Sequence, residues 1–166
     1  MRVLGIDPGT ITMGFGVIEG DGEKIALVDC GALSPVKRSS IGERLCFLYE
    51  GLLKVIKKYR PDAVVVETPF VGDNVRSAFA IGRAQAIALL AAASRKLPAF
   101  EYSPARIKQV VSGYGASTKE QMQTMVKLQL NMAEVPQPHD AADALAVAIC
   151  HIREAHLNEV LARQKE

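Results

Sequence analysis

Ala63-Val64-Val65-Val66-Glu67 is the stretch on which the fold class turns. Three consecutive valines lose side-chain freedom in a helix and pack well on a pleated surface. The run is apolar without alternation, so both faces of the strand need cover, as in a sheet flanked by helices. Just upstream, Ile41, Leu45, Leu48, Leu52, Ile56 and Tyr59 recur at helical spacing. Ser40-Ile41-Gly42-Glu43 opens that helix as a capping box, and Arg60-Pro61 stops it. Downstream, Thr68–Asn74 reads as loop, Val75 to about Arg95 as a long alanine-rich helix, and Ala99–Tyr102 as a short strand after Pro98.

Further out, Val3–Asp7 ends at the Pro8-Gly9 turn, and Gly14–Glu19 and Lys24–Cys30 flank a Gly20-Asp21-Gly22 hairpin loop. On the other side, Pro104–Val111 and Lys119–Leu130 read as helices around Gly113-Tyr114-Gly115, with Ser117-Thr118-Lys119-Glu120 as a second capping box. Pro136 and Pro138 precede a last helix from about Asp140, polar from about residue 153. Three strands with short loops meander antiparallel, and the two strand–helix–strand crossovers are long enough to be parallel. The expectation is an α/β protein with a mixed five-stranded sheet and helices on both faces, forming one domain over residues 1–166.

Composition fits this picture. Of 166 residues, 49% are hydrophobic and 23% charged, which excludes a disordered chain. The longest apolar run, Ala86–Ala93, is far short of the roughly twenty residues of a membrane span. Asp7 interrupts the N-terminus too early for a secretory signal, so a cytoplasmic protein without membrane attachment is expected. Cys30, Cys46 and Cys150 lack metal-ligand spacing, and Cys46 and Cys150 fall in apolar helical patterns, which reads as buried thiols in a reducing compartment.

Four acids carry the chemistry. Asp7 closes the first strand and Glu67 the fourth; if these are parallel neighbours, both emerge from one sheet edge, where ligands bind in open α/β folds. Asp140 and Asp143, three apart in His139-Asp140-Ala141-Ala142-Asp143-Ala144-Leu145, share a helix face, and the alanines around them permit close approach to the sheet. Such a donor set suits hard cations, Mg²⁺ with Mn²⁺ as substitute, and two such ions can activate water and stabilise the leaving oxygen of a phosphodiester. With these four set aside, twenty Lys and Arg face fourteen acids, a balance suited to a phosphate backbone. Singly, Asp7 also suits the Pro8-Gly9 turn, Glu67 a solvated strand end and Asp140 a helix N-terminus. Asp143, a weak helix former in a row of alanines, has the poorest structural account.

Leu4-Gly5-Ile6-Asp7-Pro8-Gly9, Val66-Glu67 followed by Phe70, Val111-Ser112-Gly113-Tyr114-Gly115-Ala116 followed by Lys119, and His139–Leu145 resemble, in order and spacing, the RuvC family of bacterial Holliday junction resolvases. The resemblance runs from Arg2 to about His151. It implies a ribonuclease H-like fold, a homodimer, and paired nicks in four-way junction DNA with two divalent ions per site, in recombination and repair. It implies Asp7, Glu67, Asp140 and Asp143 as catalytic metal ligands. Some members carry histidine at the third acid; Asp140 is chosen here because its spacing to Asp143 matches, leaving adjacent His139 as a phosphate contact, a support to the site, or a helix-entry residue. It further implies DNA contacts at Phe70, stacking on an unpaired base, and at Arg76, Lys108 and Lys119. Branch-migration proteins RuvA and RuvB are implied partners by the same resemblance. The Arg83–Ala93 helix reads equally as core or dimer interface. Two rival readings stand beside this one. A non-cleaving junction-binding protein of the same fold is disfavoured by the intact acid set. An actin-like nucleotide-binding module, suggested by Asp7-Pro8-Gly9, needs a longer chain.

Overall fold

The computed structural model describes residues 1–68 and 74–164. β1 (Arg2–Asp7), β2 (Met13–Gly20) and β3 (Ile25–Leu33) form the antiparallel meander, α1 (Ile41–Tyr59) leads to β4 (Ala63–Glu67), and α2 (Val75–Ser94) leads to β5 (Ala99–Tyr102). α3 (Pro104–Ser112), α4 (Lys119–Gln129) and α5 (His139–Arg163) follow. The sheet order is β3-β2-β1-β4-β5, with β4 parallel to both β1 and β5.

The valine triplet has no exposed surface, because the strand is covered on both sides. Val64 and Val66 pack with Leu4, Ile6, Leu48, Leu52 and the buried alanines of α2. Val65 and Val3 face the opposite way, into a core built with Leu145, Val147 and Ile149 of α5 and with Ile107 and Val126 of α3 and α4. α1 and α2 thus cover one face, and α3, α4 and α5 the other.

α2 is long and apolar enough to cross a membrane by length and composition alone. In the fold it buries Ala84, Ala88, Ala91 and Ala92 against the sheet side, while Val75, Phe79 and Leu90 stand outward. Among the described residues the helix is therefore core on one face and exposed on the other.

Two expectations need correction. Cys46 is exposed, its thiol 3.6 Å from Glu50 Oε1, because it lies one position off the buried stripe of α1. Cys30 is half-buried and Cys150 fully buried. The second capping box sits one residue later than the sequence suggested. Thr118 caps α4 and Gln121 bonds back to the Thr118 backbone, while Ser117 is buried and donates to the Tyr114 carbonyl at 2.7 Å. The first box, Ser40 with Glu43, forms as read.

Candidate active site

The β1–β4 register pairs Ile6 with Val66, so the next residues, Asp7 and Glu67, emerge side by side at the same sheet edge. The β1–β2 register pairs Asp7 with Gly14. α5 lies directly on this part of the sheet. A Cβ on Gly14 would clash with the Asp140 carbonyl oxygen, far inside van der Waals contact, and one on Gly16 would lie 2.8 Å from the Leu145 nitrogen. A Cβ on Gly5 would lie 2.8 Å from the Ala148 nitrogen. Glycine inside a strand commonly marks such close backbone approach. Gly14 thereby sets Asp140 above the strand position next to Asp7, and Asp143 follows one helical turn later.

A cleft of about 290 Å³ opens beside Asp143, lined by Glu67, Lys108, Lys119, Met122 and Ala146. A second cleft, of about 400 Å³, opens beside Asp140 and the Gly9–Thr12 turn. The acids feel one another. Burial, followed by the charges of Glu67, Asp143 and Asp140, pushes the Asp7 carboxyl up to about 8. Burial and Asp143 push Glu67 up to about 7, with Lys108 and Lys119 acting in the opposite direction. Lys119 Nζ lies 3.1 Å from Asp143 Oδ2, and that bond holds the ammonium above its ordinary range.

Among the described residues, no three acids or imidazoles converge as a ready-made ion cage. Asp143 is instead paired with the Lys119 ammonium. The donor chemistry nonetheless fits a hard divalent cation, since it consists of carboxylates alone and the charged forms of Asp7 and Glu67 are undersupplied with positive charge.

Of the other sequence-predicted residues, Lys108 and Lys119 share the cleft with Glu67 and Asp143. Arg76 is exposed on the first turn of α2 and does not line that cleft. Phe70 lies outside the described residues. His139 enters α5 and its Nδ1 is 2.9 Å from Gln123 Nε2. Sequence reasoning missed Gln123, although its i+4 spacing from Lys119 places both on one face of α4. It also missed Gly14 and Gly16, whose signal was their position inside a strand.

The family model for crossover junction endodeoxyribonuclease RuvC matches residues 3–151. The RuvC of Dehalococcoides mccartyi strain 195 is 57% identical over 151 residues, covering 91% of this chain and 92% of the relative. That of Chloroflexus aggregans is 53% identical over the same share of both chains. The structure of T. thermophilus RuvC in complex with a Holliday junction substrate matches with a TM-score of 0.89 at 33% identity, over 95% of this chain and 96% of that one. The matched span holds all four acids, both cleft lysines and the glycine contact that sets α5 on the sheet, and the chain accordingly belongs to the RuvC family of crossover junction endodeoxyribonucleases.

Proposed function

We propose that this enzyme resolves four-way DNA junctions by paired, metal-dependent phosphodiester hydrolysis, in recombination and repair. The observation that carries the reading is the placement of Asp7 and Glu67 side by side at one sheet edge, with Asp140 and Asp143 on the turns of α5 seated over that part of the sheet and Lys108 and Lys119 in the cleft of Glu67 and Asp143. Two Mg²⁺ ions, or Mn²⁺ in their place, held by these acids would supply charge neutralisation and Lewis acidity for in-line hydrolysis. Asp7 and Glu67 hold their positions because their strands are locked on both faces. Asp140 and Asp143 hold theirs because α5 rests on glycine. Lys108 and Lys119 offer positive charge to the phosphate backbone in the same cleft. Asp7 and Glu67 must shed protons to act as ligands, so the rate should rise toward alkaline pH.

Phe70, three residues past Glu67, is proposed to stack on an unpaired base at the crossover, and Arg76 to touch the backbone near it. The whole chain, residues 1–166, is proposed to act as one nuclease domain in the cytoplasm, serving junctions handled by RuvA and RuvB. A homodimer fits a nearly two-fold substrate. α2 supports it: Val75, Phe79, Gly82, Ala86 and Leu90 fall on one helical stripe, with Phe79 64% and Leu90 54% exposed. Phe79→Glu should give monomers by sedimentation.

The test of the function is cleavage of a synthetic four-way junction against linear duplex, with and without Mg²⁺. Selective, Mg²⁺-dependent nicking is expected; binding without cleavage would favour the non-cleaving alternative.

A further inference from the structure

We infer that Lys119 is a built-in stand-in for the metal at Asp143, so that a divalent ion takes this carboxylate only by displacing the lysine ammonium. The inference rests on the proposed metal-binding role of the four acids.

The geometry is specific. Lys119 Nζ is 3.1 Å from Asp143 Oδ2, and both side chains line the cleft that also holds Glu67. Lys119 stands in the first turn of α4, where the helix dipole repels a cation, so its own helix does not favour the ammonium there. The acids of α5 and the sheet draw it in instead. Its side chain is 56% exposed and reaches Asp143 on a flexible stem, which makes the contact exchangeable.

The neighbouring contact is of a different kind. Gln123, one turn along α4, bonds His139, one turn before Asp143 on α5. Lys119–Asp143 and Gln123–His139 therefore form two rungs between antiparallel helices. Met122 and Val126 of α4 are buried in the core with α5. α4 thus stays docked through Gln123 and its apolar face when Lys119 lets go. A lysine released from Asp143 remains over the same cleft, where a backbone phosphate is the next available anion. Ion entry and phosphate capture become linked steps, with Lys119 handed from one anion to the other.

The experiment measures Mn²⁺ binding to the DNA-free full chain by electron paramagnetic resonance, with no reading of cleavage. Lys119→Met should bind Mn²⁺ about two- to fivefold more tightly than the unaltered chain, the range expected for loss of one partly exposed ion pair. Lys119→Gln serves if the first variant melts early. Asp143→Asn should weaken binding, and adding Lys119→Met to it should give no further gain, because the two residues act at one point. A gain that persists in the Asp143→Asn background would mean a general field effect and overturn the exchange. Unchanged affinity in Lys119→Met and Lys119→Gln would do the same. If Asp143→Asn alone binds Mn²⁺ as the unaltered chain does, the proposed metal role of Asp143 itself fails.

Discussion

The strand-borne and helix-borne acids solve different problems. Asp7 and Glu67 sit on adjacent parallel strands whose side chains are packed from both faces, and burial is the first cause of their raised carboxyls. Asp140 and Asp143 stand on the opening turns of α5, and the latter has an ammonium for company. The sheet supplies rigidity at the cost of repulsion between charges. The helix supplies acids that can be approached and exchanged. A site built only from the second kind would lack a fixed frame.

The largest expected effect separates the pairs by stability rather than activity. Asp7→Asn and Asp143→Asn should each lower single-turnover nicking by about a thousandfold or more, since each removes a charged ligand. Without metal at neutral pH, Asp7→Asn should melt higher than the unaltered chain, because folding no longer has to protonate or bury an ionised carboxyl there. Asp143→Asn should show no such gain, because it strands Lys119. Equal melting shifts in the two variants would erase the distinction between the pairs.

The frame itself can be disturbed without touching an acid. Gly14→Ala introduces a methyl group where the Asp140 backbone already lies. Overpacking of this kind costs about 1–3 kcal/mol, or roughly 3–10 °C in a chain of this size. Nicking should fall with it, and differential scanning calorimetry alongside a cleavage assay would show both.

The pH dependence, compared between variants, tests the strand pair. The unfolded chain releases these protons near the ordinary values of 3.8 and 4.5, whereas the folded chain keeps them up to about 8 at Asp7 and about 7 at Glu67. Across that window the native state binds more protons, so their contribution to stability declines as pH rises and is fully lost above pH 8. Melts in EDTA should therefore drop between pH 5 and pH 8.5 by more in the unaltered chain than in Asp7→Asn. Mg²⁺ should restore the loss at pH 8.5.

The smallest effect concerns the first turn of α5. His139→Ala loses one hydrogen bond to Gln123 and should keep nicking within about fivefold, as befits roughly 1 kcal/mol. Asp140→Asn should lose far more. The reverse ranking would place the histidine, not the aspartate, at the reacting centre.

Much of this was legible in the chain. The valine triplet forced a doubly covered strand, the hairpin glycines and crossover lengths ordered the sheet, and the positions of Asp7 and Glu67 at strand ends followed from that order. The three-residue spacing of Asp140 and Asp143 put both on one helix face. These are local or periodic signals, and local backbone chemistry is what a sequence carries openly. Tertiary structure alone decided the rest. Gly14 could be read as a strand residue, but not as the seat of Asp140. Thr118 outcompeted Ser117 for the cap because Ser117 was buried against the Tyr114 carbonyl. Cys46 faced water because one helical position separates a buried stripe from its edge. The pairings of Lys119 with Asp143 and Gln123 with His139 join residues 16 to 24 positions apart, and only the docking of α4 on α5 brings them within reach. Sequence fixes which groups a chain owns and the face each occupies; which of them meet depends on how elements pack, and packing is settled by the summed fit of many side chains at once.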